Sequence, residues 1–234
     1  RPLSCACNGP VRVRKVAERH VPRATREGIP FVVASGVVAA LLGRLSGWAG
    51  WVGVAFTAWV AWFFRDPERA CPAEPGVLYS PADGLVTAVD EVDGEWHVTG
   101  RASRVVIFLS PLDVHVNRTP VDARLVGRRR EPGRALPAFL VAGAGTNARQ
   151  LLAFDADTPS GSIVPFVVVQ VVGFLVRRIV TWRWPGETVQ AGERLGMLRF
   201  GSRTDLVLPA GTADVLVSRG QRVVAGITPV ARFR

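Results

Sequence analysis

The sequence predicts a mainly β, α+β protein: a β sandwich or barrel domain preceded by an N-terminal hydrophobic helical hairpin. Three observations carry this expectation. Between Gly28 and Phe64 the only formal charge is Arg44. From Val77 onward, short alternating apolar runs are broken by Gly, Pro and Asp, the pattern of strands and turns. The stretch Gly186-x-x-Val189-x-Ala191-Gly192 recurs as Gly220-x-x-Val223-x-Ala225-Gly226, as expected of related hairpin turns.

At 234 residues the chain is long enough for one substantial core and an appendage. A hydrophobic content of 48% excludes a disordered chain. The net charge of +10 points to an anionic partner, either a membrane surface or a phosphorylated substrate. The charge is dispersed and no aromatic-basic platform accompanies it, which argues against nucleic acid. Lys15 is the only lysine and lies in a charged N-terminal segment. A pyridoxal Schiff base and a lipoyl or biotinyl attachment site, both of which need a lysine, are therefore disfavoured. Cys5, Cys7 and Cys71 show neither zinc-site nor redox spacing, so no metal is expected.

Residues 1–27 form a basic segment in which Arg12, Arg14, Lys15, Arg19, Arg23 and Arg26 outnumber Glu18 and Glu27. Residues 28–66 read as a membrane-associated hairpin, with apolar stretches at 29–42 and 48–64 separated by Gly43-Arg-Leu-Ser-Gly47. A spanning helix needs about 20 apolar residues, so each half is slightly short. A hairpin that crosses or dips into the bilayer competes with a single spanning helix, and the turn-like centre favours the hairpin. A buried helical pair in a soluble protein is the remaining alternative. Arg23, Arg26, Arg65 and Arg69 flank the two outer ends and place both on the cytoplasmic side, while Trp48, Trp51, Trp59 and Trp62 suit an interfacial belt. The cytoplasmic face of a cell membrane follows as the expected location.

Residues 67–234 constitute the β-rich domain, entered through a linker containing Pro67, Pro72 and Pro75. Runs at 85–92 and 95–99 flank Asp93-Gly94 and predict a hairpin. Residues 104–109 form a buried strand candidate, and 138–158 are less regular, with a short helix or loop at 139–142. Valine density marks 163–172 and 174–182 as central strands. The repeated glycine turn is similar to turns of lipoyl- and biotinyl-like (hybrid-motif) β domains. Without the lysine it reports shape rather than carrier function.

Candidates for chemistry are few. His20 lies in the basic segment and His97 follows a turn, which suits surface positions. His115 lies in Ser110-Pro-Leu-Asp-Val-His-Val-Asn-Arg-Thr-Pro120, just beyond a predicted strand, where loops often carry reactive groups. Asp83 occupies a strand-start turn, Ser80-Pro-Ala-Asp-Gly84. Near the C-terminus an apolar run halts at Gly201-Ser202 and resumes at Leu206. That break reads locally as an ordinary bulge, but with Asp83 and His115 it completes an Asp/His/Ser set able to activate a serine hydroxyl.

Five segments then occur in order: Phe64-Arg-Asp-Pro-Glu-Arg69, Ser80-Pro-Ala-Asp-Gly84, Phe108-Leu-Ser-Pro-Leu-Asp-Val-His115, Arg177-Arg-Ile179 and Arg199-Phe-Gly-Ser-Arg203. With them the chain resembles the short, membrane-anchored (type A) branch of the phosphatidylserine decarboxylase proenzymes, from about Phe31 to the C-terminus. The resemblance implies self-cleavage between Gly201 and Ser202 into a β chain, 1–201, and an α chain, 202–234. Ser202 would become a covalent pyruvoyl group that serves as electron sink, through a Schiff base with the substrate amine, for conversion of phosphatidylserine to phosphatidylethanolamine and CO2. No metal and no pyridoxal phosphate are implied.

By the same resemblance Asp83 orients the histidine during cleavage and His115 is an acid/base in processing, decarboxylation or both. Asp113 orients His115 or caps its loop. Arg177, Arg178, Arg199 and Arg203 are phosphate-holding candidates, with exposed surface arginines as the plainer alternative. The longer bacterial branch has a second histidine three positions after the first, where this chain has Arg118. Either His115 serves both steps, or processing relies on backbone strain at Gly201-Ser202. Two other functions stay open: a non-catalytic, membrane-tethered β domain binding anionic lipid, and a pyruvoyl decarboxylase of another amine. Association into a homo-oligomer is compatible with either.

Overall fold

Two apolar helices lead into a curled antiparallel sheet. The computed structural model describes residues 14–15, 23–133, 147–172, 179–198 and 202–234. Cys5, Cys7, His20, the expected element at 139–142, Arg177, Arg178, Arg199 and Gly201 lie outside the described residues. A two-residue strand, β1 (Arg14–Lys15), precedes α1 (Arg23–Leu45) and α2 (Gly47–Phe63), with Ser46 alone between the helices. The helices touch backbone to backbone: a Cβ on Gly50 would lie 2.7 Å from Gly43 Cα, and one on Gly53 would lie 2.7 Å from Ala39 Cα. Small residues permit this close approach where an aqueous hydrophobic drive is absent. Thr25–Leu45 is long and apolar enough to cross a membrane, and only 11% of its apolar window is buried. Val33, Val37, Trp48, Trp51 and Phe56 point outward from the hairpin, which supports membrane association.

The β domain comprises β2 (Ala70–Cys71), β3 (Val77–Tyr79), β4 (Gly84–Asp93), β5 (Arg101–Leu109), β6 (Val116–Arg118), β7 (Ala123–Glu131), β8 (Arg149–Asp157) and β9 (Ile163–Val171). It continues with β10 (Ile179–Thr181), β11 (Thr188–Val189), β12 (Arg194–Leu198), β13 (Ser202–Pro209), β14 (Ala213–Val215), β15 (Arg222–Val223) and β16 (Pro229–Phe233). Eight strands form the main sheet in the order β11-β7-β8-β9-β13-β5-β4-β15. It curls into a half-barrel around Ile107, Leu125, Leu152, Phe154, Phe166, Val168 and Leu206. Two small sheets, β10-β12-β6 and β14-β16-β3, flank it. The mainly β, α+β expectation with an apolar helical hairpin is met.

The glycine repeat marks a duplication that extends well beyond it. Its two copies supply β11 and β15, the two edges of the main sheet. Ala225 N–H donates to Asp83 Oδ1 and, in the other half, Ala191 N–H donates to Asp122 Oδ1. Ser80-Pro-Ala-Asp83 thus corresponds to Thr119-Pro-Val-Asp122. The two turns exchange backbone bonds reciprocally, Arg118 N–H to the Pro81 carbonyl and Tyr79 N–H to the Pro120 carbonyl. Each turn leads into a long strand with a bulge at the same offset, between Val86 and Ala88 in β4 and between Leu125 and Gly127 in β7. The β4-β5-β13 unit therefore matches β7-β8-β9. The second unit is inserted between β5 and β13 of the first.

Three local expectations need correction. The partner of β4 is Arg101–Leu109 rather than 95–99, which forms a turn. There Gly94 N–H bonds the Gly100 carbonyl and Trp96 adopts φ 50°. The less regular stretch at 138–158 contains the nine-residue β8. Within 174–182 the described strand is only Ile179–Thr181, and it pairs with β12 in a small sheet rather than running through the centre of the main one.

Candidate active site

Strand pairing brings the chemically distinctive residues to one end of the main sheet. β5 ends at Leu109, which lies opposite Ser202, the first residue of β13. On the other side of β5, Phe108 lies opposite Leu85, so Asp83, just before β4, reaches the same end. Gly84 has φ 147°, and a Cβ there would collide with the Phe108 carbonyl, so only glycine lets this turn close against β5. The loop from Ser110 to His115 leaves the same edge. Antiparallel pairing thus converges three segments that are remote in sequence.

His115 is fully buried, with its ring centroid 4.4 Å from that of Phe63 in the last turn of α2. Its Nδ1 lies 2.9 Å from the Asp113 carbonyl oxygen. A carbonyl only accepts, so Nδ1 carries the proton and Nε2 presents a lone pair. Nε2 is buried and has no partner among the described residues. Burial lowers the His115 pKa to about 4, against the raising effects of the Asp113 hydrogen bond and of the charges on Asp113 and Asp83. The ring is therefore neutral, and a base, at neutral pH.

A neutral buried histidine carries a pH signature. Its folded-state pKa is depressed, so between about pH 6.5 and about pH 4 the unfolded chain binds more protons than the folded one. Stability should fall across that window as pH falls, by about 3 kcal/mol for this group. Thermal melts at stepped pH of the wild type and of His115→Phe check this: the substitution should flatten the slope, and parallel slopes would refute the assignment.

Asp83 is held by three donors. Arg69 Nη1 and Nη2 meet its two oxygens at 2.6 and 2.7 Å, and the Ala225 N–H adds a third bond at 2.8 Å. These contacts, rather than a hydrogen bond to His115, fix its carboxylate. Asp113 closes its own loop: Oδ2 accepts the Ser110 N–H at 2.8 Å, and Oδ1 lies 3.3 Å from Arg222 Nη1. It holds His115 through its backbone carbonyl. Arg203 forms a bidentate, buried pair with Asp205, Nε to Oδ1 and Nη2 to Oδ2, both at 2.6 Å.

The Phe64-Arg-Asp-Pro-Glu-Arg69 segment proves to be the frame of this region. Arg65 caps α2 by donating to the Trp62 carbonyl and reaches the Leu112 carbonyl at 2.6 Å, which ties the helix end to the His115 loop. Asp66 is buried and receives Arg118 Nη2 at 3.2 Å and Arg194 Nε at 2.7 Å. Arg118 also donates to the carbonyls of Gly192 and Pro67. Burial lowers its pKa to about 10, so it stays charged at neutral pH. The residue standing where the longer branch has a second histidine is thus a structural cation. Asp66 and Asn117, which ties the His115 strand to β13, carry no role expected from the sequence, and Arg65 and Arg69 are expected only as charges flanking the hairpin. The dense charge of that first segment was the available signal for three of them.

The family model for phosphatidylserine decarboxylase matches residues 56–231. The phosphatidylserine decarboxylase proenzyme of Symbiobacterium thermophilum is 46% identical over 91% of this chain and 96% of its own length. That of Mycolicibacterium vanbaalenii is 41% identical over 96% of this chain and 95% of its own. That of Carboxydothermus hydrogenoformans is 38% identical over 89% and 96%. The matched region takes in β4, β5, β13 and the whole convergence of Asp83, His115 and Ser202. The chain belongs to the phosphatidylserine decarboxylase family.

Proposed function

We propose that the protein is a self-processing decarboxylase of phosphatidylserine, acting at the cytoplasmic face of the membrane to which its hairpin ties it. The observation that carries this reading is the meeting of Asp83, the His115 loop and Ser202 at one sheet end, directly beneath the base of an apolar hairpin. The contact of Phe63 with His115 supports a site near the level of the lipid headgroups when the hairpin is embedded.

The neutral His115 Nε2, without a partner among the described residues, suits removal of a hydroxyl proton. In the proposed processing, the Ser202 oxygen adds to the Gly201 carbonyl carbon and converts the 201–202 amide into an ester. Loss of the Ser202 Cα proton expels the Gly201 carboxylate, and water then displaces ammonia at residue 202. The pyruvoyl group so made supplies an electron-accepting carbonyl for loss of CO2 from an amino acid. The residues present fit it: position 202 begins a strand at the sheet end from which the His115 loop leaves, and the only lysine, Lys15, lies far away in sequence. Arg69 fixes the Asp83 carboxylate beside the site, where its charge raises the His115 pKa and so favours proton uptake. Arg177, Arg178 and Arg199 remain candidates for the lipid phosphate, supported by the chain's positive charge. For Arg203 the pairing with Asp205 already engages Nε and Nη2.

Intact-mass analysis of the purified protein tests this reading. Fragments ending at 201 and beginning at a blocked residue 202, together with CO2 release from phosphatidylserine but not from free serine, are expected. An unbroken chain, or CO2 release from the free amino acid alone, would refute it.

A further inference from the structure

Polar side chains run in one line through the interior, from the rim of the sheet to the candidate site. Arg130 Nε donates to Gln150 Oε1 at 2.9 Å. Gln150 Nε2 donates to Gln170 Oε1 at 2.9 Å and to Thr181 Oγ1 at 2.7 Å. Gln170 Nε2 donates to Asn117 Oδ1 at 2.7 Å. Asn117 Nδ2 donates to the Pro81 carbonyl and to Thr204 Oγ1, both at 3.1 Å. Gln150, Gln170, Asn117 and Thr204 are 0% exposed. Gln150 lies opposite Gln170, and Gln170 opposite Thr204, so β8, β9 and β13 set them in a row.

The line has one polarity. A guanidinium, which only donates, stands at one end, and a peptide carbonyl, which only accepts, stands at the other. Every amide between must turn its oxygen toward Arg130 and its NH2 toward Asn117. Reversing any one would set two donors or two acceptors face to face, which is costly in a buried site. At Thr204 the consequence is specific: its oxygen accepts from Asn117, so its proton remains to be given. Thr204 is two residues beyond Ser202 along β13. Asn117 is two residues beyond His115, and its second bond holds Pro81 in the turn that carries Asp83. One amide joins all three segments of the site.

We propose that this polar line is a positioning device for the Gly201–Ser202 bond. It locks the strands that follow His115 and begin at Ser202 in fixed register, and it presents the Thr204 hydroxyl as a hydrogen-bond donor two residues from the bond to be cleaved. Asn117 and Thr204 are positioning residues, and the inference rests on the self-cleavage proposed above. If the amides merely filled a polar core, their loss would lower stability without selectively slowing cleavage.

The test is cell-free synthesis of the full chain with phospholipid vesicles, following conversion to two fragments by gel and mass. Melting temperatures are measured for each variant in a Ser202→Ala background, so that uncleaved chains are compared. Thr204→Val, an isostere without the hydroxyl, should slow cleavage about tenfold or more with little change in melting, and Thr204→Ser should recover most of the rate. Asn117→Leu should slow it about a hundredfold, and Arg130→Met, at the exposed end of the line, about threefold. Cleavage of folded Thr204→Val at the wild-type rate, or a slow rate that Thr204→Ser fails to recover, would overturn the inference. That pair decides even where Asn117→Leu fails to fold. A wild-type chain that never cleaves would overturn the proposed function and this inference with it. A wild type that cleaves no faster than Thr204→Val would overturn the inference alone.

Discussion

Ser202→Ala should leave the purified chain as one species of full length and abolish CO2 release. The substitution removes the only hydroxyl that can add to the 201 carbonyl from residue 202, so a loss beyond about a thousandfold in cleavage rate is expected. Folding should survive, because Ser202 begins a strand whose pairing with Leu109 uses only the backbone. Denaturing gels and intact mass read the first effect, and a CO2 assay reads the second. A fragment beginning at residue 202 in the variant would show that the break has another origin. Retained decarboxylation by the unbroken chain would separate the activity from processing altogether.

Asp66→Asn should produce the largest loss of stability. Arg118 and Arg194 are buried at 1% and 3% exposure, and both rest on the Asp66 carboxylate. Removing one partner of a buried ion pair typically costs about 3–5 kcal/mol, because the other charge is left without compensation. For a protein of this size that corresponds to a fall in melting temperature of about 10 °C or more. Adding Arg118→Met removes one stranded charge and should recover part of the loss, whereas Arg194 keeps Glu68 at 3.6 Å. Thermal melts of the two single variants and the double variant form the cycle. Equal melting of Asp66→Asn and wild type would mean that the two arginines find other partners.

What was legible in the sequence was what local pattern controls. Apolar runs marked β5 and β9, the stretch with Arg44 as its one charge marked the hairpin, and the glycine repeat marked two related turns, whose copies the fold uses as edge strands. The meeting of Asp83, His115 and Ser202 was an expectation from motif order, and the pairing of β13 with β5 gives it a geometric basis. The full duplication was not legible, because Ser80-Pro-Ala-Asp and Thr119-Pro-Val-Asp share only two identities and are equated by backbone bonds between distant segments. The polar line was missed for the same reason: its members sit at 117, 150, 170 and 204 and meet only through sheet register. A signal did exist, since Gln150 and Gln170 are lone amides bordering or interrupting apolar runs, and an unexplained amide in a buried strand demands a partner. Arg203 illustrates the opposite limit. The sequence makes it a phosphate-holding candidate or an exposed surface arginine, but alternation along β13 puts Asp205 on the same face, where it pairs with the buried guanidinium.

The position of β13 bears on what kind of object the mature protein is. The strand lies between β9 and β5 and pairs with both, and it is followed by β14, β15 and β16, which close two sheets. Cutting the chain at the start of β13 leaves those contacts in place, so the two pieces should copurify without a covalent link. Before the cut, all of these strands assemble within one molecule, at a rate independent of concentration. After the proposed cut a central strand would belong to a separate polypeptide, and recovery from unfolding would become a second-order encounter between partners that each lack a complete sheet. The uncut chain should therefore refold from denaturant at any dilution and the cut one should not. The proposed cleavage would thereby act as a ratchet, passed once and maintained by the barrier to unfolding rather than by a reversible equilibrium.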